Sequence, residues 1–122
     1  ALVRVGLYKR DTAKAPAASL LSMTDRPTAV FAANDLSAIA IIQVAAELGL
    51  QVPGDLSVIG FDDIPLAHYF DPPLTTIAQP ADAIGATCAS ILFDLIEGRA
   101  PPEMRHILPH ELLVRASTRR LP

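Results

Sequence analysis

Residues 29–33 form an unbroken apolar run, residues 37–48 place Ile39, Ile42, Val44, Ala45 and Leu48 at helical spacing, and residues 56–61 return to an apolar run. A strand that crosses over through one helix into a second strand must return parallel to the first, and in nearly every case right-handed. Parallel pairs of this kind are found under helices, so a strand as apolar as residues 29–33 is expected to be covered on both faces. Asp35 or Ser37 is expected to cap the crossover helix, and Gly49 to end it in the left-handed conformation that glycine takes without steric cost. Pro53-Gly54-Asp55 turns the chain into the second strand. An α/β fold with a parallel sheet and helices on both faces follows.

The rest of the chain reads around that unit. Residues 3–8 form a short strand candidate, and residues 12–23 carry Ala15, Ala18, Leu20 and Leu21 in a helical pattern with Asp11 or Thr12 as cap. Pro16 is tolerated only in a first turn, which sets the start of that helix at Lys14 or Ala15. Residues 63–73 hold Pro65, Pro72 and Pro73 and are expected to be irregular. Residues 75–78 form a strand, Pro80 opens a long helix through Glu97, and Gly98 ends it. Residues 105–108 and 111–115, separated by Pro109, read as two short strands.

Polar groups stand where each apolar run stops: Tyr8, Asn34 with Asp35, Asp62 with Asp63, and Gln79. In open α/β sheets the carboxyl ends of the strands border a ligand crevice, so these positions are small-molecule contacts in prospect. The amide of Asn34 offers a donor and an acceptor, which suits a sugar hydroxyl, against a local turn as the alternative. An ionised Asp62 accepting two hydroxyls is an anchor for a polyol or an amine. Asp62 and Asp63, adjacent on an extended chain, point to opposite sides and do not converge as a catalytic pair.

Three blocks occur in a recognisable order: Arg26-Pro27-Thr28-Ala29-Val30-Phe31-Ala32-Ala33-Asn34-Asp35, then Gly49-Leu50-Gln51-Val52-Pro53-Gly54-Asp55-Leu56-Ser57-Val58-Ile59-Gly60-Phe61-Asp62-Asp63, then Pro72-Pro73-Leu74-Thr75-Thr76-Ile77-Ala78-Gln79-Pro80. With this spacing the chain resembles the effector-binding domain of the lactose-repressor (LacI/GalR) family of bacterial transcription regulators. The resemblance implies a periplasmic-binding-protein-like lobe, with Tyr8, Asn34, Asp62 and Gln79 contacting a small effector such as a sugar or nucleobase. It also implies a homodimer interface through Ile39, Tyr69 and Phe70. Gln79 would lie at a crossover between two lobes, giving residues 1–79 to a C-terminal lobe, 80–108 to the N-terminal lobe, and 109–122 to a return strand and tail. On this reading residues 1–122 are the C-terminal third of a regulator, a repressor of transcription whose helix-turn-helix and remaining lobe lie upstream.

Composition limits the alternatives. The net charge is −3, so the chain lacks the basic field that dominates nucleic-acid binding, and DNA contact is expected only through the absent N-terminal segment. Arg115, Arg119 and Arg120 read as a solvated end. Cys88 is the one cysteine, which excludes an internal disulfide and agrees with a reducing cytoplasm. No apolar stretch reaches the roughly 18 residues of a membrane span. His106 and His110 have the spacing of metal ligands on a helix, but Pro109 between them removes the helix, and no phosphate cradle or nucleophile elbow is present. No metal, cofactor or enzymatic activity is expected. The remaining alternative is a fragment of the sugar-binding protein of an importer, which shares the fold.

Overall fold

The computed structural model describes residues 2–100, 103 and 105–120. The elements in chain order are α1 (Arg10–Leu21), β1 (Ala29–Phe31), α2 (Asp35–Glu47), β2 (Ser57–Asp62), α3 (Pro65–Tyr69), β3 (Thr75–Ala78), α4 (Ala81–Ile96) and β4 (Glu111–Leu113). They divide into two compact units, one of Ala1–Ala78 with Leu112–Pro122 and one of Gln79–Glu111.

In the first unit the sheet order is β1-β2-β3-β4. β1 pairs parallel to β2 with Val30 opposite Val58, and β2 parallel to β3 with Gly60 opposite Thr76. The parallel strand-helix-strand unit is thus present as the sequence requires. The crossover helix α2 buries Ala38, Ile39, Ala40, Ile42, Val44 and Ala45. The core joins Ala17 and Leu21 of α1 to Ile42 of α2, Val58 of β2, and Leu74 just before β3. Each large apolar side chain fully buried there contributes about 1.5–3 kcal/mol. Gly49 ends α2 at φ +75°, with Gly49 N–H donating to Ala46 O over 3.0 Å and Leu50 N–H to Ala45 O over 2.8 Å, the paired bonds that close a helix through a left-handed residue.

Several boundaries differ from expectation, each for a physical reason. Helix α1 begins at Arg10 and carries Pro16 inside it. The proline removes one bond to the Thr12 carbonyl, and burial of Ala13, Ala17, Leu20 and Leu21 on the helix face outweighs that loss. Residues 3–8 form no strand: Val3 and Val5 are exposed and the chain turns at Leu7 and Tyr8, both at positive φ. The apolar pattern is there, but a strand exists only through a ladder with a neighbour. Ala29 and Phe31 of β1 are exposed while Ala32 is buried, so this edge strand is covered on one face only. Residues 63–73 are not wholly irregular, because Pro65 at the first helical position starts α3.

In the second unit α4 matches the expected helix within a residue at each end, and Gly98 follows it at φ +73°. No residue of α4 is buried. Residues 105–108 are not a strand; their own unit offers no other complete strand, among its described residues, for them to pair with. Of the second expected strand, Glu111–Leu113 is formed.

Candidate functional site

The parallel register carries β1, β2 and β3 to one carboxyl edge. The chain leaves β1 through Ala32 and Ala33 into Asn34 and Asp35, and Asp62, the last residue of β2, stands opposite Ala78, the last of β3.

Asn34 caps α2. Its Oδ1 accepts the Ser37 N–H over 3.0 Å, and its Nδ2 donates to the Tyr8 carbonyl over 3.0 Å. The amide therefore brings Asn34 to the backbone of Tyr8 and ties down the turn there; Tyr8 is 68% exposed. The cap expected of Asp35 or Ser37 belongs to Asn34 instead, since its extended backbone outside the first turn aims a short side chain back at the free N–H groups.

Asp35 has a different task. It is fully buried, with Oδ1 accepting the Thr76 hydroxyl over 2.6 Å and Oδ2 accepting the Ile64 N–H over 2.9 Å. Burial raises its carboxyl above the ordinary aspartate range; Thr76 and Ile64 oppose that rise, and the neighbouring charges of Asp62 and Asp63 add to it. Three carboxylates thus lie near one another at the strand ends.

Asp62 and Asp63 stand half-buried at φ +117° and +56°, where L residues are strained. Asp63 Oδ1 accepts from Arg115 Nη2 over 2.7 Å; with both aspartates at positive φ the chain here is a turn, so the alternation expected of an extended pair does not apply. Arg115 also donates from Nη1 to the Leu74 carbonyl over 2.9 Å. Arg119 donates to the carbonyls of Pro53 and Gly54 over 3.0 and 3.1 Å. The solvated end expected of these three arginines therefore does not hold for Arg115, which is bonded to Leu74 and Asp63, or for Arg119, which is exposed but bonded to a distant turn; Arg120 is exposed. A guanidinium presents several donors in a fixed plane, and carbonyls at a strand end and a turn are the acceptors it finds. Gln79 begins the second unit and is exposed.

Of the expected interface residues, Ile39 has no exposed surface and is a core side chain, correcting its assignment to a contact with a partner. Its helix is apolar on nearly all sides, so its outward face could not be picked from spacing alone. Phe70 is half-buried and packs against the core, whereas Tyr69 is 82% exposed with His68 edge-on at 5.0 Å. Spacing also missed Ser117, fully buried, whose Oγ donates to Val58 O over 2.6 Å and accepts Thr75 N–H over 2.8 Å. The signal for Ser117 and Arg115 was polar residues in a segment otherwise read as tail.

A family model described as a periplasmic binding protein-like domain matches residues 3–118. The HTH-type transcriptional repressor PurR of Vibrio vulnificus is 40% identical over 116 residues, 95% of this chain and 35% of that protein. The HTH-type transcriptional repressor CytR of Escherichia coli K12 is 45% identical over 103 residues, 84% of this chain and 30% of that protein. Among solved structures, a complex of the transcriptional regulator CelR with cellobiose superposes with TM-score 0.84 at 35% identity, over 90% of this chain and 34% of that one. The chain spans about a third of the length of the curated relatives it matches.

Proposed function

This chain belongs to the periplasmic binding protein-like domain family of LacI-type regulators, and from that membership we propose that it is the part of a transcription regulator that senses a small effector. The reading is supported by the shared carboxyl edge of three parallel strands, where Asn34 after β1 is bonded to the Tyr8 carbonyl, Asp62 ends β2, and the buried Asp35 is bonded to Thr76 of β3. Asp62 anchors a ligand hydroxyl or amine, Asn34 holds the Tyr8 turn, and Tyr8 supplies an aromatic face for a sugar or base. Gln79 contributes from the start of the second unit.

Effector binding shifts the population of two arrangements of the whole regulator, and DNA affinity changes because the two arrangements differ in it. DNA is held by a helix-turn-helix outside these residues; a chain of net charge −3 supplies no basic field of its own. In the regulator, residues 80–108 belong to a second lobe, which is supported by the separate compactness of Gln79–Glu111 and by the lack of any buried residue on α4. The regulator is a homodimer in which Tyr69 and the edge of Phe70 meet the partner. It works in the cytoplasm and catalyses no reaction; no helix among the described residues is long and apolar enough to cross a membrane. The relatives named above are regulators, which favours this reading over the importer component.

The test is Asp62→Ala in the complete regulator, with operator release measured against a panel of disaccharides, purine bases and nucleosides. Loss of a hydrogen bond to a charged group predicts a response weaker by about 1.5–3 kcal/mol with the fold retained. An unchanged response removes Asp62 from the site.

A further inference from the structure

We propose that Arg115 is a positioning residue for the candidate ligand carboxylate, acting through Asp63 on the backbone of Asp62; the proposal rests on the reading of Asp62 as an effector contact. Two successive non-glycine residues at φ +117° and +56° form a turn that the backbone does not adopt unaided. Such strain persists only where surrounding bonds over-determine it.

Those bonds are present on both sides of the turn. Downstream, the N–H of Ile64 is held by the buried carboxylate of Asp35 over 2.9 Å. At the turn, Asp63 is held by Arg115 over 2.7 Å, with the two side chains only 28% and 15% exposed. Arg115 cannot swing with its partner, because its Nη1 is bonded to the Leu74 carbonyl and its N–H to Thr75 Oγ1, each over 2.9 Å. The guanidinium therefore ties the end of β2 to the start of β3 through two ends of one rigid plane. It also brings a positive charge to a cluster that otherwise holds the carboxylates of Asp35, Asp62 and Asp63. A lysine keeps that charge, but a single ammonium on a flexible stem lacks the planar fork that spans Leu74 O and Asp63 Oδ1.

The experiment compares the parent 122-residue chain with Arg115→Lys and Asp63→Asn by nuclear magnetic resonance, reading carbon shifts, which report φ, at Asp62 and Asp63, and amide exchange at Ile64. The expected result is that both variants move the Asp62 and Asp63 shifts away from left-handed values and speed Ile64 exchange by about tenfold, while Val58 and Gly60 in the same strand keep their signals. Unchanged shifts at Asp62 and Asp63 would overturn the proposal. So would a change that spreads equally to Val58 and Gly60, since the ion pair would then support the sheet at large. These shifts need no ligand, so they decide the positioning role separately from the effector response of Asp62→Ala, which decides whether Asp62 touches the effector.

Discussion

The hydroxyl of Thr76 donates to Asp35 Oδ1 over 2.6 Å, and neither residue has any exposed surface. Asp35 opens α2 directly after β1, and Thr76 lies in β3, so the bond passes over β2, the strand between them. It does so at Gly60, which stands opposite Thr76 in the ladder. A carboxylate taken out of water is tolerable only with its lone pairs satisfied, and Thr76 and Ile64 supply one donor to each oxygen. The interaction fastens the carboxyl edge of the sheet immediately behind the candidate site.

Thr76→Val keeps the side-chain shape and removes the donor, leaving a buried carboxylate oxygen without its partner. The expected cost is about 1.5–3 kcal/mol of stability, read from urea unfolding midpoints. A loss below a few tenths would show that water replaces the hydroxyl.

Asp35 makes stability depend on pH with a definite sign. Its carboxyl is raised above the ordinary value of 3.8, chiefly by burial, so the folded chain binds this proton more tightly than the unfolded chain. The contribution is present in full below that ordinary value and is lost as pH rises through the raised one. Asp35→Asn removes the titration and one acceptor together. The stability of the parent relative to the variant is therefore expected to be greatest at acid pH and to shrink as pH rises, measured by denaturant unfolding across that window. A difference independent of pH would contradict the shift.

Gly60→Ala tests the crowding at the crossing point. A Cβ there would fall inside contact distance of Asp35 Oδ1 and 2.9 Å from Leu74 Cδ2. Buried backbone and a bonded carboxylate leave little room for relaxation, and the expected loss is about 3 kcal/mol, the upper end of ordinary overpacking. Thermal unfolding of the variant reads it directly.

Ser117→Ala takes away one hydroxyl that serves two strands. The Thr75 N–H loses its acceptor and the Val58 carbonyl loses a donor, both in the buried part of the sheet. A loss of about 1–3 kcal/mol is expected. Hydrogen exchange should rise first at Thr75, whose amide is the group left unpaired.

The amino-acid sequence by itself determined the parallel strand-helix-strand unit, the bounds of β3, those of α4 to within a residue, the glycines that follow α2 and α4, and the family. The elements are written in periods of two and 3.6 residues and in the short list of residues that caps and left-handed turns accept, all of which act within one element, whereas the family is legible in the order and spacing of three residue blocks. Tertiary structure alone decided that Asn34 caps the helix Asp35 was expected to cap, that Ile39 is core, that Pro16 stays inside α1, and that residues 3–8 pair with no strand. It also chose the partners Asp35–Thr76, Asp63–Arg115 and Val58–Ser117, which lie 41, 52 and 59 residues apart. A hydrogen bond between such distant residues leaves no periodicity in the chain. Its energy comes from burial that exists only once the sheet has closed, and until then each of these polar groups is satisfied equally well by water.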